Sequence, residues 1–534
     1  TALPFAYSMP TLCCDEASPA MAALGSDKCK SKEKPQLVCG LMSGTSCDAV
    51  DAALLWTDGC DYVRLGPTAE IAIPKTLRQK IRTLQTWADT AYRSNVIAQR
   101  TAVYVSSLQY QQSNVDPIHR HPLAVAIETE LTALHVQVVQ LALSKLTSED
   151  AKTPLTLVGY HGNTICHFPP SRQLKKIHQK IGSPFTWQLG DGQSLSNQLQ
   201  VPVVFRFRDN DIKYGGGEGA PLAPAYHRSL CLSHFKTKNN RKKNNKKEKE
   251  MKNNAATVQE IAVLNIGGVS NVTICSSTMT SQDTRGLLAF DIGPGNALLD
   301  DFMMKRTGNP IDYFGNVAKT GQPDLEFIHA VMHKTNSPLF DFLQLPAPRS
   351  CDRDQFERIT NLKRKKESKQ TWLDEMSIEN GAATLTLLTA QCIQNALSRV
   401  PEWTRLWSQP LSSVPSILVV AGGGRLNNTL LKWISKQVGK EVEVVTADEV
   451  GWRGDSVEAE AFAYLAMRSV LGLALSWPGT TGTRVAVTGG VLVRPVVRVV
   501  EEKIPKKFDD MLPFVGIGVL LLGGIALYIS RKGK

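Results

Sequence analysis

The chain has 534 residues, 42% of them hydrophobic and 21% charged, with 39 Gly and 28 Pro, a composition that excludes disordered, collagen-like and disulfide-scaffold proteins. The formal charge is +12, yet residues 236–254 alone carry net +7 and residues 363–369 net +4. The rest is almost neutral, which argues against nucleic acid as a partner. In chain order, residues 1–35 lack hydrophobic periodicity and read as an N-terminal extension. Short apolar runs that end in glycine-rich or polar turns follow at 37–42, 155–159, 201–205, 261–266, 287–290 and 417–421, and they predict buried strands. Ser377–Leu397 and Ser456–Leu471 carry helical patterns between and after them. The alternation predicts an α/β body over 36–495 with sheets covered on both faces.

Residues 236–254, rich in Lys and Asn, are expected to form a solvated surface insertion, with contact to a membrane surface as the alternative. Residues 496–511 read as a linker. Leu512–Ile529 is a run of eighteen uncharged residues, followed by a basic tail at 530–534. At about 1.5 Å per residue such a helix is about 27 Å long, so a single C-terminal transmembrane helix is expected. The short span with its basic stub, together with a first residue that is Thr1 rather than Met, points to a mitochondrial membrane, with the endoplasmic reticulum as the alternative. The eleven cysteines include no zinc-type spacing, and a reduced compartment without a structural metal is expected.

Four glycine turns at strand or helix ends carry chemistry. Ser43-Gly44-Thr45-Ser46 leads through Cys47 to Asp48, offering hydroxyls and backbone N–H groups to phosphates and a carboxylate to a metal-bound water. No G-x4-G-K-[ST] loop is present. Phe290-Asp291-Ile292-Gly293-Pro294-Gly295-Asn296 repeats the strand–carboxylate–glycine order, and Gly422-Gly423-Gly424 permits close backbone approach to a ligand. In Gly454-Asp455-Ser456-Val457-Glu458, Asp455 fits a helix N-cap, and Glu458 either closes a capping box or faces a site. Such turns spread over more than 400 residues favour a nucleotide cleft between two lobes. The recurring strand–turn–Asp order resembles the duplicated, ribonuclease-H-like actin/hexokinase fold.

Many motifs then occur in a single order: GLMSGTSCDAVD, Gly159–Thr164, Thr186–Asp191, Phe207-Arg208, Asp211-Ile212, Gly219–Leu222, Ala225–His227, Leu264–Asn271, FDIGPGN, AGGG, GDSVEAEAFAYLA and Thr480–Gly482. From about Leu37 to Pro495 the chain resembles the anhydro-N-acetylmuramic acid kinase family. That resemblance implies ATP and Mg2+, a small 1,6-anhydro sugar whose ring is opened with phosphorylation at O6, and a homodimer as an expected state. It implies Asp291 as the general base and Glu458 as a second acid near sugar and water. Ser43, Gly44, Thr45, Ser46, Asp48, Gly293, Gly295 and Asn296 would contact phosphates, and Gly422, Gly423 and Gly424 the adenosine. His161, Gln188, Arg208 and Asp211 are the sugar-pocket candidates, with the alternative that His161 only bonds a loop carbonyl.

The chain departs from the family pattern at Cys47-Asp48-Ala49, Ile292, Arg206, Gly215–Gly219 and Arg349–Asp354. Ala49 would be strained if its position needs positive φ, and Ile292 replaces a hydroxyl expected near phosphates. With the C-terminal span, these changes suggest the alternative of a catalytically impaired accessory subunit in a membrane complex.

Overall fold

Apolar segments that turn back at glycines or polar residues form twelve strands: β1 (Gln36–Ser43), β2 (Ala49–Thr57), β3 (Val63–Ala72), β4 (Leu155–Phe168), β5 (Phe185–Leu189), β6 (Val203–Phe205), β7 (Glu260–Ile266), β8 (Val269–Ser276), β9 (Leu287–Pro294), β10 (Ile417–Ala421), β11 (Glu443–Thr446) and β12 (Val491–Val493). This computed structural model describes residues 34–496 except 45–46, 94–121, 171–183, 245–258, 278–285, 336, 352, 366, 406–410 and 413. The chain divides into two units, Thr1–Pro495 and Val496–Lys534. The segment expected to span a membrane, 512–529, lies outside the described residues, as do residues 1–33 of the expected 1–35 extension, residues 497–511 of the expected linker and the 530–534 tail. Among the described residues no helix is long and apolar enough to cross a membrane.

The first sheet has the order β12-β6-β4-β1-β2-β3, with β5 added on β4, and the second the order β11-β10-β7-β8-β9. In the first, β1 pairs antiparallel with β2 and parallel with β4, β2 is antiparallel to β3, and β4 is parallel to β6. In the second, β7 pairs antiparallel with β8 and parallel with β10, β8 is antiparallel to β9, and β10 is parallel to β11. Both halves therefore run 3-2-1-4-5 with identical strand directions. This is a duplicated fold of two mixed sheets, the topology of the actin/hexokinase-like ATPases.

The principal helices are α1 (Lys75–Arg93), α2 (Pro122–Ser144), α3 (Gly192–Leu199), α4 (Pro224–Asn244), α5 (Ala297–Thr307), α6 (Leu325–His333), α7 (Ile378–Ser398), α8 (Asn428–Val438) and α9 (Val457–Val470). They sort into three layers around the sheets. Leu77 and Ile81 of α1 and Ile127 and Leu131 of α2 cover Leu41 and Leu54 on the outer face of the first sheet. Phe302, Phe327, Leu388 and Ile434, from α5, α6, α7 and α8, cover Leu264, Phe290 and Val420 on the outer face of the second. Between the sheets, α4 and α9 share one core with Val38, Leu157, Val263 and Val419. Alternate residues of one strand thus enter different cores, which is why β1, β7 and β10 read as unbroken apolar runs.

The closest approach is that of α9 to the first sheet. A Cβ at Gly40 of β1 would stand 1.8 Å from Ala459 O, and one at Gly159 of β4 would stand 2.0 Å from Phe462 O. Only glycine lets the helix backbone rest on the strands without a side-chain layer.

Two expectations change. The Lys/Asn-rich segment does not start as a loop: α4 continues to Asn244 before the undescribed residues 245–258, since Lys and Arg are good helix formers and nothing there breaks the helix. Cysteine usage is not wholly reduced. Among the described residues Cys39, Cys231, Cys275 and Cys392 are thiols, while Cys60 is disulfide-bonded.

Candidate functional site

The β1–β2 and β7–β8 hairpins occupy equivalent places in the two sheets. In the first, Cys47 N–H donates to Gly44 O at 3.0 Å, and Cys47 takes the left-handed conformation, φ 56°. The turn is tied to β4 by Asn163 Nδ2, which donates to Gly44 O at 3.2 Å. Burial pushes the Cys47 thiol pKa up. Ala49 is already the first residue of β2, paired with Ala72; its backbone is extended and its Cβ causes no strain. The Ser43 hydroxyl is buried and has no hydrogen-bond partner among the described residues. A buried hydroxyl without a partner fits a missing acceptor such as a phosphate oxygen. Asp48 is exposed, its Oδ1 accepting from Ala49 N–H at 3.1 Å. Thr45 and Ser46 lie outside the described residues.

In the second half, Gly293 has φ 150°, which only glycine adopts readily. A Cβ on Gly295 would meet Gly267 O at 2.3 Å. Gly295 N–H and Ala297 N–H donate to Gly268 O at 2.9 and 3.2 Å, and Asn296 N–H donates to Gly267 O at 2.8 Å. The Gly293–Asn296 turn therefore spends these N–H groups bracing the β7–β8 tip. The tip itself, Gly267-Gly268, is open: a Cβ at either position would meet nothing nearer than 3.7 Å. The site candidates read from the sequence do not include these two glycines, although the Leu264–Asn271 motif contains them and a glycine pair between two strands is the available signal.

The triple glycine also divides. Gly422, φ 73°, is pressed against Asn265 Oδ1 and Ile266 O, and Gly424 against the Ile266 side chain. Only Gly423 faces open space, with Asn296 Nδ2 at 3.8 Å from a Cβ placed there. The bare surfaces at Gly268 and Gly423 and the orphan Ser43 hydroxyl fit a polyphosphate lying against backbone. Among the described residues no group of three or more His, Cys, Asp or Glu is arranged to hold a metal ion.

Asp291 sits near the end of β9, 7% exposed. Its N–H donates to Arg349 O at 2.9 Å, and its Oδ2 accepts from Cys351 N–H at 2.8 Å. Arg349 is 1% exposed and donates to the carbonyls of Asp291, Phe342, Leu343 and Leu345 at 3.0, 3.3, 3.2 and 2.7 Å. Burial lowers its pKa to about 10, so it stays charged at neutral pH. Ile292 alternates to the other face and packs in the outer core of the second sheet. A threonine there would not have faced the cleft.

Glu458 lies in the first turn of α9. It remains accessible to solvent, yet protein crowds it on most sides, as expected inside a cleft. That desolvation raises its pKa, opposed by a hydrogen bond from Asn265 Nδ2 at 3.1 Å and by the charge of Arg208. No capping box forms. Ser456 is the N-cap residue, without a side-chain cap bond. Asp455 instead takes a bidentate pair from Arg425 Nη1 and Nη2, 2.6 Å each, while Arg425 Nε reaches Asp448 Oδ2 at 2.6 Å. A long-range ion pair won over the local cap.

On the sugar side, His161 is buried and strongly disfavoured from protonation by desolvation and by Arg208. Arg208 Nε donates to His161 Nε2 at 3.1 Å, which leaves the proton on Nδ1 to donate to Gly162 O at 2.8 Å. His161 thus bonds a carbonyl of its own strand β4 and not a loop, and its other nitrogen aims Arg208. Arg208 Nη1 also donates to Gly219 O at 2.6 Å. Asp211 is 2% exposed, accepting from Gly219 N–H and Thr481 Oγ1 at 2.6 Å each. It anchors the glycine loop from within and does not reach into open space. Glu218 of that loop accepts from Ser350 Oγ at 2.9 Å. A chain of contacts therefore runs from Arg208 through Gly219, Glu218 and Ser350 to Cys351 and Asp291. Gln188 is tied to Thr186 Oγ1 at 2.6 Å on β5, within reach of His167 through the same hydroxyl.

Two equivalent hairpins that present backbone, a buried strand-end carboxylate and a second acid at the start of α9 sit on a two-lobed ATPase fold. A family model described as anhydro-N-acetylmuramic acid kinase matches residues 36–109, 104–241 and 249–495. A protein of that name from Paramagnetospirillum magneticum is 34% identical over 456 residues, covering 85% of this chain and 98% of that protein. One from Nitrobacter winogradskyi is also 34% identical over 456 residues, with 85% and 99% covered. A ROK family glucokinase structure from Streptomyces griseus, in complex with glucose and AMPPNP, overlays with a TM-score of 0.29 at 12% identity, covering 80% of this chain and 99% of that one. The chain belongs to the anhydro-N-acetylmuramic acid kinase family.

The expected membrane-anchored, mitochondrial location is overturned. The relatives are matched over nearly their whole length, the family match ends at residue 495, and no helix among the described residues can cross a bilayer.

Proposed function

We propose that this chain is an ATP-dependent sugar kinase that opens the 1,6-anhydro ring of the amino sugar for which its relatives are named. The observation that carries this reading is the placement of Asp291: a carboxylate at a strand end, oriented by Cys351 N–H and linked through Ser350, Glu218 and Gly219 to Arg208. In the proposed reaction Asp291 takes a proton from water as its oxygen bonds to C1. The C1–O6 bond breaks, O6 bonds to the γ-phosphorus, and ADP leaves with the bridging oxygen. A carboxylate within hydrogen-bond reach is suited to this proton, while phosphoryl transfer needs mostly positioning and charge neutralisation. Gly268, Gly423 and Ser43 would receive the polyphosphate. Bound Mg2+ would neutralise charge on the phosphates, and Asp48, exposed at the first hairpin, is the carboxylate suited to hold one of its waters.

The accessory-subunit alternative, the membrane-complex partners and the homodimer have no observation behind them among the described residues. Of the departures that prompted the alternative, Ala49 lies in an extended strand and Ile292 in a core. The test is turnover of the anhydro sugar with Mg-ATP in 18O-water, followed by mass analysis of the phosphorylated product. Label at C1 and phosphate at O6, both lost in Asp291→Asn with the fold intact, are expected. A folded wild-type chain that gives no product at millimolar ATP would refute the reading.

A further inference from the structure

Asn265 lies on β7, two residues before the Gly267-Gly268 tip, and is half-buried. Its Nδ2 donates to Glu458 Oε1 at 3.1 Å. An ionised carboxylate only accepts hydrogen bonds, so the amide must present its nitrogen to Glu458. Oδ1 then turns to the triple-glycine turn, where a Cβ on Gly422 would stand 2.4 Å away. A single side chain of the second sheet therefore touches both the nucleotide-side turn and the acid carried by α9, the helix seated on the first sheet.

The same turn is bound to the start of α9 by a second route. Gly422 N–H donates to Gly454 O at 3.2 Å, and Arg425, which also donates to Gly422 O at 3.1 Å, holds Asp455 in two hydrogen bonds. Gly454 must be glycine here, because a Cβ would fall 2.1 Å from Arg425 Nε. The backbone leading into Glu458 is thus fixed to the glycine turn by Arg425, and the Glu458 carboxylate by Asn265.

We propose that Asn265 is a positioning residue that fixes the Glu458 carboxylate in the cleft, in register with the Gly422–Gly424 turn. The inference rests on the function proposed above, since it gives Glu458 a task beside the sugar. The charged groups that face Glu458 are Arg208, from the segment after β6, and Asp51 of β2, which itself faces Asp48, Glu70 and Asp455. His161 of β4 is held neutral, and on α4 Tyr226 is engaged by Glu460. Asn265 is the amide that favours the ionised acid. Without it, desolvation acts against Arg208 alone.

The experiment follows the Glu458 carboxyl directly in the full chain, by carbon NMR titration of glutamate-labelled protein, with Glu458→Gln to assign the signal. Asn265→Leu, close to isosteric, is expected to move the Glu458 midpoint up by about one pH unit. The acid limb of kcat/KM should move by the same amount, and kcat should fall about tenfold with KM for the sugar little changed. Asn265→Asp, a second variant of nearly unchanged size, should move the midpoint further the same way by adding a like charge. Melting temperatures close to wild type are the check that both variants fold. A Glu458 midpoint and a pH profile that coincide with wild type would overturn the proposal. Because the NMR midpoint does not require turnover, a wild-type chain without sugar phosphorylation but with a shifted midpoint in Asn265→Leu refutes the functional reading and leaves the positioning role standing.

Discussion

Gly40→Ala tests the packing that places Glu458. The new methyl would stand 1.8 Å from Ala459 O and 2.5 Å from Ala463 N, both backbone atoms of α9. No side chain is there to rotate away. Carbon–oxygen contacts below about 3 Å do not occur in close-packed interiors, so the helix must withdraw by roughly 1 Å. The first sheet resists, because Gly159 holds the same helix at Phe462 O. Overpacking of this kind costs about 1–3 kcal/mol, and the backbone-on-backbone clash puts the expected loss at the upper end. Glu458, one residue before Ala459, moves with the helix, and misplacement by about 1 Å is expected to lower kcat about 100-fold. Urea unfolding measures the first quantity, and steady-state phosphorylation of the anhydro sugar the second. A variant with wild-type stability and wild-type kcat would refute the account of α9 as a helix resting bare on its strands.

Three further outcomes are expected. Asp51 is pushed up to about 7 by burial and by the carboxylates of Glu70, Asp48, Glu458 and Asp455, against about 3.9 in an unfolded chain. The folded state therefore holds this proton more tightly, and stability falls as pH rises from about 4 through 7. Asp51→Asn should gain about 1–2 kcal/mol at pH 8, after discount for solvent screening, and nothing at pH 4, as read by urea melts at both. Arg349→Met leaves buried carbonyls at Asp291, Phe342, Leu343 and Leu345 without their donor; a loss of about 2–4 kcal/mol is expected in chemical unfolding, and a loss below 1 would show that other donors take over. Gly423→Ala should leave stability nearly unchanged and weaken nucleotide binding by calorimetry, whereas Gly424→Ala, whose methyl meets Ile266 Cβ at 2.5 Å, should reduce stability first.

What could be read from the residues is what depends on local chemistry. The apolar runs that became β1, β4, β7, β9 and β10, the helices α7 and α9 and the glycine turns at strand ends all show in short windows. Their edges did not. The run at 155–159 extends to Phe168 because β5 pairs with its second half, and that partner lies beyond undescribed residues. Nothing in a short window shows why β1 needs Gly40 and β4 needs Gly159, because the helix that rests on them is more than 290 residues away. Asp455 fitted a cap until Arg425, thirty residues earlier in sequence, claimed it. Asp211 carried a binding motif, but its oxygens are used inside the glycine loop. At Cys47 and Ala49 the motif was legible and the φ values were not: the left-handed residue is Cys47.

The bare contact between α9 and its two strands makes the height of Glu458 above the first sheet a fixed quantity. Without a compressible layer of side chains, backbone rests on backbone at Gly40 and Gly159. Asp291 is strapped to the second sheet by residues 349–351. The two acids are thus fiducial marks referred to different sheets, and the gap between them is a ruler for the spacing of the sheets. In the proposed reaction a sugar that fills the gap would meet both acids at C1, while a shorter or longer one would meet only one. Selectivity would then be written in a distance between sheets, one that the Asn265–Glu458 hydrogen bond spans.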